Sequence, residues 1–135
     1  MFKKLISTFI AVILTVMCFS NSVFGADISE YYLYTSNAST ALTVSGTTLN
    51  CRSAVTGYSG ITTKITITQE IQKKSGSTWR SINGRGTTKF TFYAIFEQSY
   101  SNMSSGTYRV KTIAKVYSGT NYETIVHYSF EKSIK

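Results

Sequence analysis

The chain has 135 residues, 42% hydrophobic, 14% aromatic and only 15% charged, with 14 Lys or Arg against six Asp or Glu, one histidine, two cysteines and no proline. That length allows one domain with a modest core and excludes a second. Two cysteines exclude a disulfide-dense scaffold, and six acids with one histidine leave few groups for catalysis or metal binding.

At the N-terminus, Lys3 and Lys4 precede an apolar stretch over residues 5–19, then Ser20-Asn21-Ser22 and Val23-Phe24-Gly25 before Ala26. This order of basic, apolar and small-residue regions predicts a secretory signal peptide over residues 1–25, cut after Gly25. The apolar stretch is shorter than the roughly 20 residues a membrane span needs, which argues against an uncleaved tether. Met17 is too bulky to precede a lipid-modified Cys18. Removing residues 1–25 of 135 leaves a single domain of 110 residues, 26–135. Taking Lys3 and Lys4 from the 14 basic residues, with all six acids kept, leaves a net charge of +6. That charge is expected either to draw the domain to anionic cell-envelope polymers or lipid head groups or merely to keep a small protein soluble. Its basic residues are scattered along the sequence, which argues against nucleic acid. Only Cys51 remains, so no internal disulfide is available and stability must come from packing and strand pairing; an intermolecular bridge through Cys51 stays open.

The exported part is dense in Thr, Ser, Tyr, Ile and Val, residues that suit a pleated, half-buried surface. Less distinct strands are expected over residues 28–34 and 40–44. Leu49, Cys51, Ser53 and Val55 then alternate with polar neighbours, as do Thr63, Ile65, Ile67, Gln69 and Ile71. A weak strand over residues 78–82 follows. Next come Phe90, Phe92, Ala94 and Phe96; Tyr108, Val110, Thr112, Ala114 and Val116; and Tyr122, Thr124, Val126, Tyr128 and Phe130. Turn signals separate the runs at Ser45-Gly46, Gly57 to Gly60, Lys74-Ser75-Gly76-Ser77, Asn83 to Gly86, Ser104-Ser105-Gly106 and Ser118 to Asn121. The pattern predicts an all-β fold, an antiparallel β-sandwich of seven or eight strands, with a small barrel as the competing closure. For the last hairpin, a five-residue loop pairing Val116 with Tyr122, Lys115 with Glu123 and Ile113 with Ile125 keeps even-numbered residues inward. Phe92, Val110 and Val126 are then expected in the core.

Groups for catalysis are sparse. His127 is expected on an outward face between Ile125 and Ser129, and Cys51 points inward, so the two do not form a nucleophile pair. Asp27, Glu30, Glu70, Glu97, Glu123 and Glu131 are spread along the chain without metal-ligand or paired-carboxylate spacing. Gly84-Arg85-Gly86 lacks the helix a phosphate loop needs and reads as a hairpin turn. Exposed tyrosines are the remaining handle: Tyr31, Tyr34, Tyr58, Tyr93, Tyr100 and Tyr117 are candidates for a stacking platform or protein hot spot. The Asn37-Ala38-Ser39 and Asn102-Met103-Ser104 sequons matter only in a eukaryotic secretory pathway.

The segment Ser105-Gly106-Thr107-Tyr108-Arg109-Val110-Lys111 resembles the opening of the sixth strand of immunoglobulin-type sandwiches. The resemblance implies that Tyr108 turns its hydroxyl back onto upstream backbone, as a tyrosine corner. Cys51 sits where the second-strand cysteine would lie, but its partner position holds Val110, so the bridge is absent. Trp79 follows the turn over residues 73–77 and is not the core tryptophan of antibody domains. Three further segments, Leu42-Thr43-Val44-Ser45-Gly46 leading to Cys51, Ile65-Thr66-Ile67-Thr68 leading to Gln72-Lys73-Lys74, and Gly76-Ser77-Thr78-Trp79, join Gly106-Thr107-Tyr108-Arg109-Val110. With these, the chain resembles small exported proteins of Gram-positive, Clostridia-like bacteria that share an immunoglobulin-like sandwich. That resemblance implies export and fold and no activity. The expected function is a secreted, non-catalytic sandwich with no cofactor, acting on envelope polymer or another protein. The alternative is a small secreted toxin of bacteriocin type. No hydrophobic tail follows Phe130, so release into the medium or loose wall association is expected.

Overall fold

The computed structural model describes residues 31–135. The expected signal peptide over residues 1–25, Cys18, Asp27 and Glu30 lie outside the described residues. Eight strands follow one another: β1 (Thr35–Ser45), β2 (Thr48–Gly57), β3 (Lys64–Ser75), β4 (Thr78–Lys89), β5 (Tyr93–Tyr100), β6 (Gly106–Ser118), β7 (Asn121–Tyr128) and β8 (Lys132–Ile134). They form two antiparallel sheets, one ordered β1-β2-β5 and the other β4-β3-β6-β7, with β8 continuing along the β7 side of β6. No strand of one sheet pairs with the other among the described residues, so the closure is a sandwich and not a barrel. The fold is immunoglobulin-like, with β4 beside β3.

Alternation explains the core. In β2 the side chains of Leu49, Cys51, Ser53 and Val55 are buried, and in β3 those of Ile65, Ile67, Gln69 and Ile71. The apolar residues fall into two clusters. One gathers Leu42, Leu49, Cys51, Ile71, Tyr100, Tyr108, Val110 and Ile134. The other gathers Val55, Ile65, Ile67, Ala94, Ala114, Val116 and Ile125. Between them runs a polar belt that joins the sheets. Thr40 Oγ1 donates to Thr112 Oγ1 at 2.6 Å, Thr112 and Ser53 share a hydrogen bond at 2.7 Å, and Gln69 Nε2 donates to Ser53 Oγ at 2.8 Å. Buried hydroxyls and amides need such partners, because an unpaired one costs ~1–3 kcal/mol.

Three hairpins use one device. Ser45-Gly46-Thr47-Thr48, Ser75-Gly76-Ser77-Thr78 and Ser118-Gly119-Thr120-Asn121 are two-residue turns whose first central residue is glycine at φ 60°, 61° and 62°. Glycine alone takes that left-handed conformation without cost, which selects the short loop.

This device corrects the last register. The expected five-residue loop is a two-residue one, so Val116 lies against Glu123, Lys115 against Thr124, Ile113 against Val126 and Tyr117 against Tyr122. A one-residue slip exchanges the faces of β7. Ile125 is therefore buried against Ala114, while Val126 is 47% exposed. Of the three expected core residues only Val110 is buried, Phe92 being 40% exposed in the bend that carries the chain from one sheet to the other. The strand expected over residues 28–34 is not one where it is described, since β1 begins at Thr35. Gly84-Arg85-Gly86 is no hairpin turn but lies inside β4, laddered along β3 with a register shift opposite Ile71 and Gln72. The strand is exposed on both faces, so it carries no apolar alternation for the eye to find.

Candidate binding face

Tyr108 has a fully buried ring, and its hydroxyl donates to the Ser104 carbonyl at 2.6 Å. Cys51 and Val110 come from opposite sheets into the same cluster, where an immunoglobulin bridge would stand. Burial pushes the Cys51 thiol up to about 12, which keeps it from acting as a thiolate. His127 is corrected in facing: it pairs with Thr112 on the core side of β7, yet it is exposed at the sheet edge. No group of three or more His, Cys, Asp or Glu suited to a metal occurs among the described residues. Of the candidate tyrosines, Tyr31, Tyr58 and Tyr93 are exposed, Tyr34 and Tyr117 are half-buried, and Tyr100 is buried with its hydroxyl unpartnered among the described residues.

The arrangement that sequence reading missed is the outer face of the larger sheet. Outward positions of β6 carry Arg109, Lys111, Ile113, Lys115 and Tyr117; those of β7 carry Tyr122, Thr124, Val126 and Tyr128. Lys64, Thr66, Thr68 and Glu70 come from β3, and Trp79 comes from β4 opposite Lys74. Cations and rings interleave there. The Arg109 guanidinium lies 4.3 Å from the Trp79 ring centre and 4.3 Å from that of Tyr128, and its Nε is held by Gln72 Oε1 at 2.8 Å. Lys74 lies over the other part of this stack, 5.6 Å from Trp79. Toward the far end of the face, Lys64 sits 3.8 Å above Tyr117, Tyr117 contacts Tyr122 at 5.2 Å, and Lys115 sits 4.8 Å from Tyr122. Each contact fixes a ring and leaves its cation at the surface, a preorganisation of ~0.5–1 kcal/mol per exposed pair.

Between the two stacks the β4 border lacks side chains at two positions. Gly84 and Gly86 lie beside Glu70 and Thr68 without side chains, and a Cβ on Gly86 would stand 2.9 Å from the Ile67 carbonyl oxygen. Five cations share the face, and their acidic neighbours are already engaged. Glu70 pairs with Lys111 at 3.8 Å and Glu131 with Lys74 at 3.6 Å. Basic residues scattered in sequence are thus gathered by strand alternation into one positive, ring-lined surface. Placing odd-numbered β6 residues on a single face was legible in the sequence; the contributions of β3 and β4 depended on sheet order.

On the opposite sheet a shallow depression of about 310 Å³ is lined by Thr43, Asn50, Arg52, Glu97 and Ser99 among others. Its polar groups satisfy one another, Arg52 with Glu97 at 2.9 Å and Ser99 with Asn50 at 2.7 Å, and it offers no ring. Neither a protein-family model nor a curated protein matches this chain.

Proposed function

We propose that this is a secreted, non-catalytic binding protein that holds an anionic glycopolymer of the cell envelope on the outer face of its larger sheet. The observation that carries this reading is the interleaving of Lys64, Lys74, Arg109 and Lys115 with Trp79, Tyr117, Tyr122 and Tyr128. Rings stack against sugar faces while cations meet phosphate or carboxylate groups, the two recognition elements such a polymer repeats. Export follows from the N-terminal pattern, and the positive net charge suits the same partner. The resemblance to small exported Gram-positive proteins supports the export and not the choice of ligand.

The test is retention of residues 26–135 on immobilised teichoic acid, with duplex DNA and neutral dextran as comparison matrices. Retention on teichoic acid should fall with salt. Trp79→Ala and Arg109→Ala should each weaken it about tenfold, given ~1–2 kcal/mol per stacked or paired group. Unchanged retention in both folded variants, or stronger retention on DNA, would refute the assignment.

A further inference from the structure

The two ends of the sandwich differ in chemistry. One end is closed by the Ser45-Gly46-Thr47 and Ser75-Gly76-Ser77 turns and by segment 101–105. The other end is where the β2–β3, β4–β5 and β6–β7 connections meet. Gly57 N donates to the Phe92 carbonyl, Thr63 N to that of Tyr117 at 2.8 Å, and Gly119 N to Thr63 Oγ1 at 3.1 Å. This second end carries Phe90, 84% exposed, and the exposed Phe92, Tyr93, Tyr58 and Ile61, the β2–β3 and β4–β5 connections being joined by the Gly57 bond to Phe92. Soluble domains scatter such side chains singly, and a cluster of them marks a docking surface.

The cluster is held out by structure. Thr62 N and Ile61 N both donate to the Tyr58 carbonyl, while Thr62 Oγ1 accepts from Tyr58 N and donates to the Tyr34 carbonyl at 2.6 Å. Tyr58 and Ile61 are therefore exposed by a pinned loop. Gly57 makes this possible, since a Cβ there would overlap the Thr62 side chain. Lys64 and Lys89 flank the rings at the adjoining strand ends, and none of the three connections contains an acid. Glu123, two residues into β7 at this end, is bound to the backbone of Leu33 and Tyr34.

We infer that this aromatic tip docks the protein onto an anionic lipid bilayer. Rings settle at the head-group level with their apolar bodies toward the acyl chains, and lysines on flexible stems reach lipid phosphates. A two-fold contact with a second copy would bring Lys64 and Lys89 toward their own equivalents, so charge favours the lipid. The tip adjoins the polymer-binding face at Lys64, which sits over Tyr117, and shares no other named residue with it, and with the tip down that face stands beside the membrane.

Co-sedimentation of residues 26–135 with phosphatidylcholine vesicles, with and without phosphatidylglycerol, tests this. The segment contains both core clusters and all eight strands. Binding is expected only with phosphatidylglycerol present. Phe90→Ser and Phe92→Ser should each lower partitioning about tenfold, and Lys89→Ala about fivefold. Trp79→Ala should leave it unchanged, while the tip variants should keep polymer retention, so the two assignments fail separately. Near-ultraviolet circular dichroism checks that the variants keep the native fold. Equal partitioning of Phe90→Ser and the parent, no partitioning by the parent, or a dimer that Phe90→Ser dissolves without any vesicle binding would each overturn it.

Discussion

Replacing Thr112 by valine keeps the shape of a buried β-branched side chain and deletes the hydroxyl on which the interlayer belt turns. Thr112 Oγ1 meets Thr40 from β1 and Ser53 from β2, at 2.6 and 2.7 Å. Thr40 is half-exposed and can turn to water, but Ser53 is fully buried and keeps only the hydrogen bond from Gln69. Two lost hydrogen bonds at ~1 kcal/mol each make the expected cost about 2 kcal/mol. For a domain of this size, each kcal/mol lowers Tm by about 4–8 °C. Ser53→Ala/Gln69→Met/Thr112→Val then removes the buried part of the belt, including Gln69 Oε1, which has no partner among the described residues, and leaves only the half-exposed Thr40 hydroxyl. Converting the three buried partners to apolar groups of similar shape should bring stability back to within about 1 kcal/mol of the parent. Urea unfolding followed by Trp79 fluorescence measures both. The reasoning is refuted if the single substitution costs under about 0.5 kcal/mol, or if the triple variant is no more stable than the single one.

Two further outcomes are expected. Because Cys51 is raised from 9.0 to about 12 by burial, the folded thiol stays protonated where the unfolded one ionises. Its contribution is complete below pH 9 and is lost as pH rises toward 12, by up to about 1.4 kcal/mol per pH unit. Stability against pH for the parent and Cys51→Ala should converge across that window, and parallel curves would contradict it. Glu123 accepts hydrogen bonds from Leu33 N at 2.8 Å, Tyr34 N at 2.9 Å and Thr35 Oγ1 at 2.7 Å, tying the chain before β1 to β7. Glu123→Ala should speed amide exchange at Leu33 and Tyr34 tenfold or more, a local loss of about 1.5 kcal/mol, while the β3–β6 ladder stays protected.

Strand-forming composition and a period of two were enough to read β2, β3 and β6 from the sequence, because these central strands bury one face and every inward residue reports it. Edge strands report less. In β4 both faces meet water, so its Asn83-Gly84-Arg85-Gly86 segment has the chemistry of a turn, and only the ladder along β3 makes it a strand. In β7 the alternating Tyr122, Val126 and Tyr128 are as apolar as Ile125, and periodicity alone could not say which set lies inward. Gly119 at positive φ sets the two-residue loop, and the contact of Tyr117 with Tyr122 draws the aromatic set outward.

Alternation along one strand is a local property, and the amino-acid sequence by itself determined it, along with the all-β class, the turns at Gly46 and Gly76 and the poverty of catalytic groups. Which strands lie side by side is a property of the closed sandwich. That order alone brings Lys64, Trp79, Arg109 and Tyr128 from four strands onto one face, and Tyr58 and Phe90 from two connections onto one end. Neither surface has a signature in the linear chain, because the contacts that make it join residues separated by long loops whose closure only the packed core rewards.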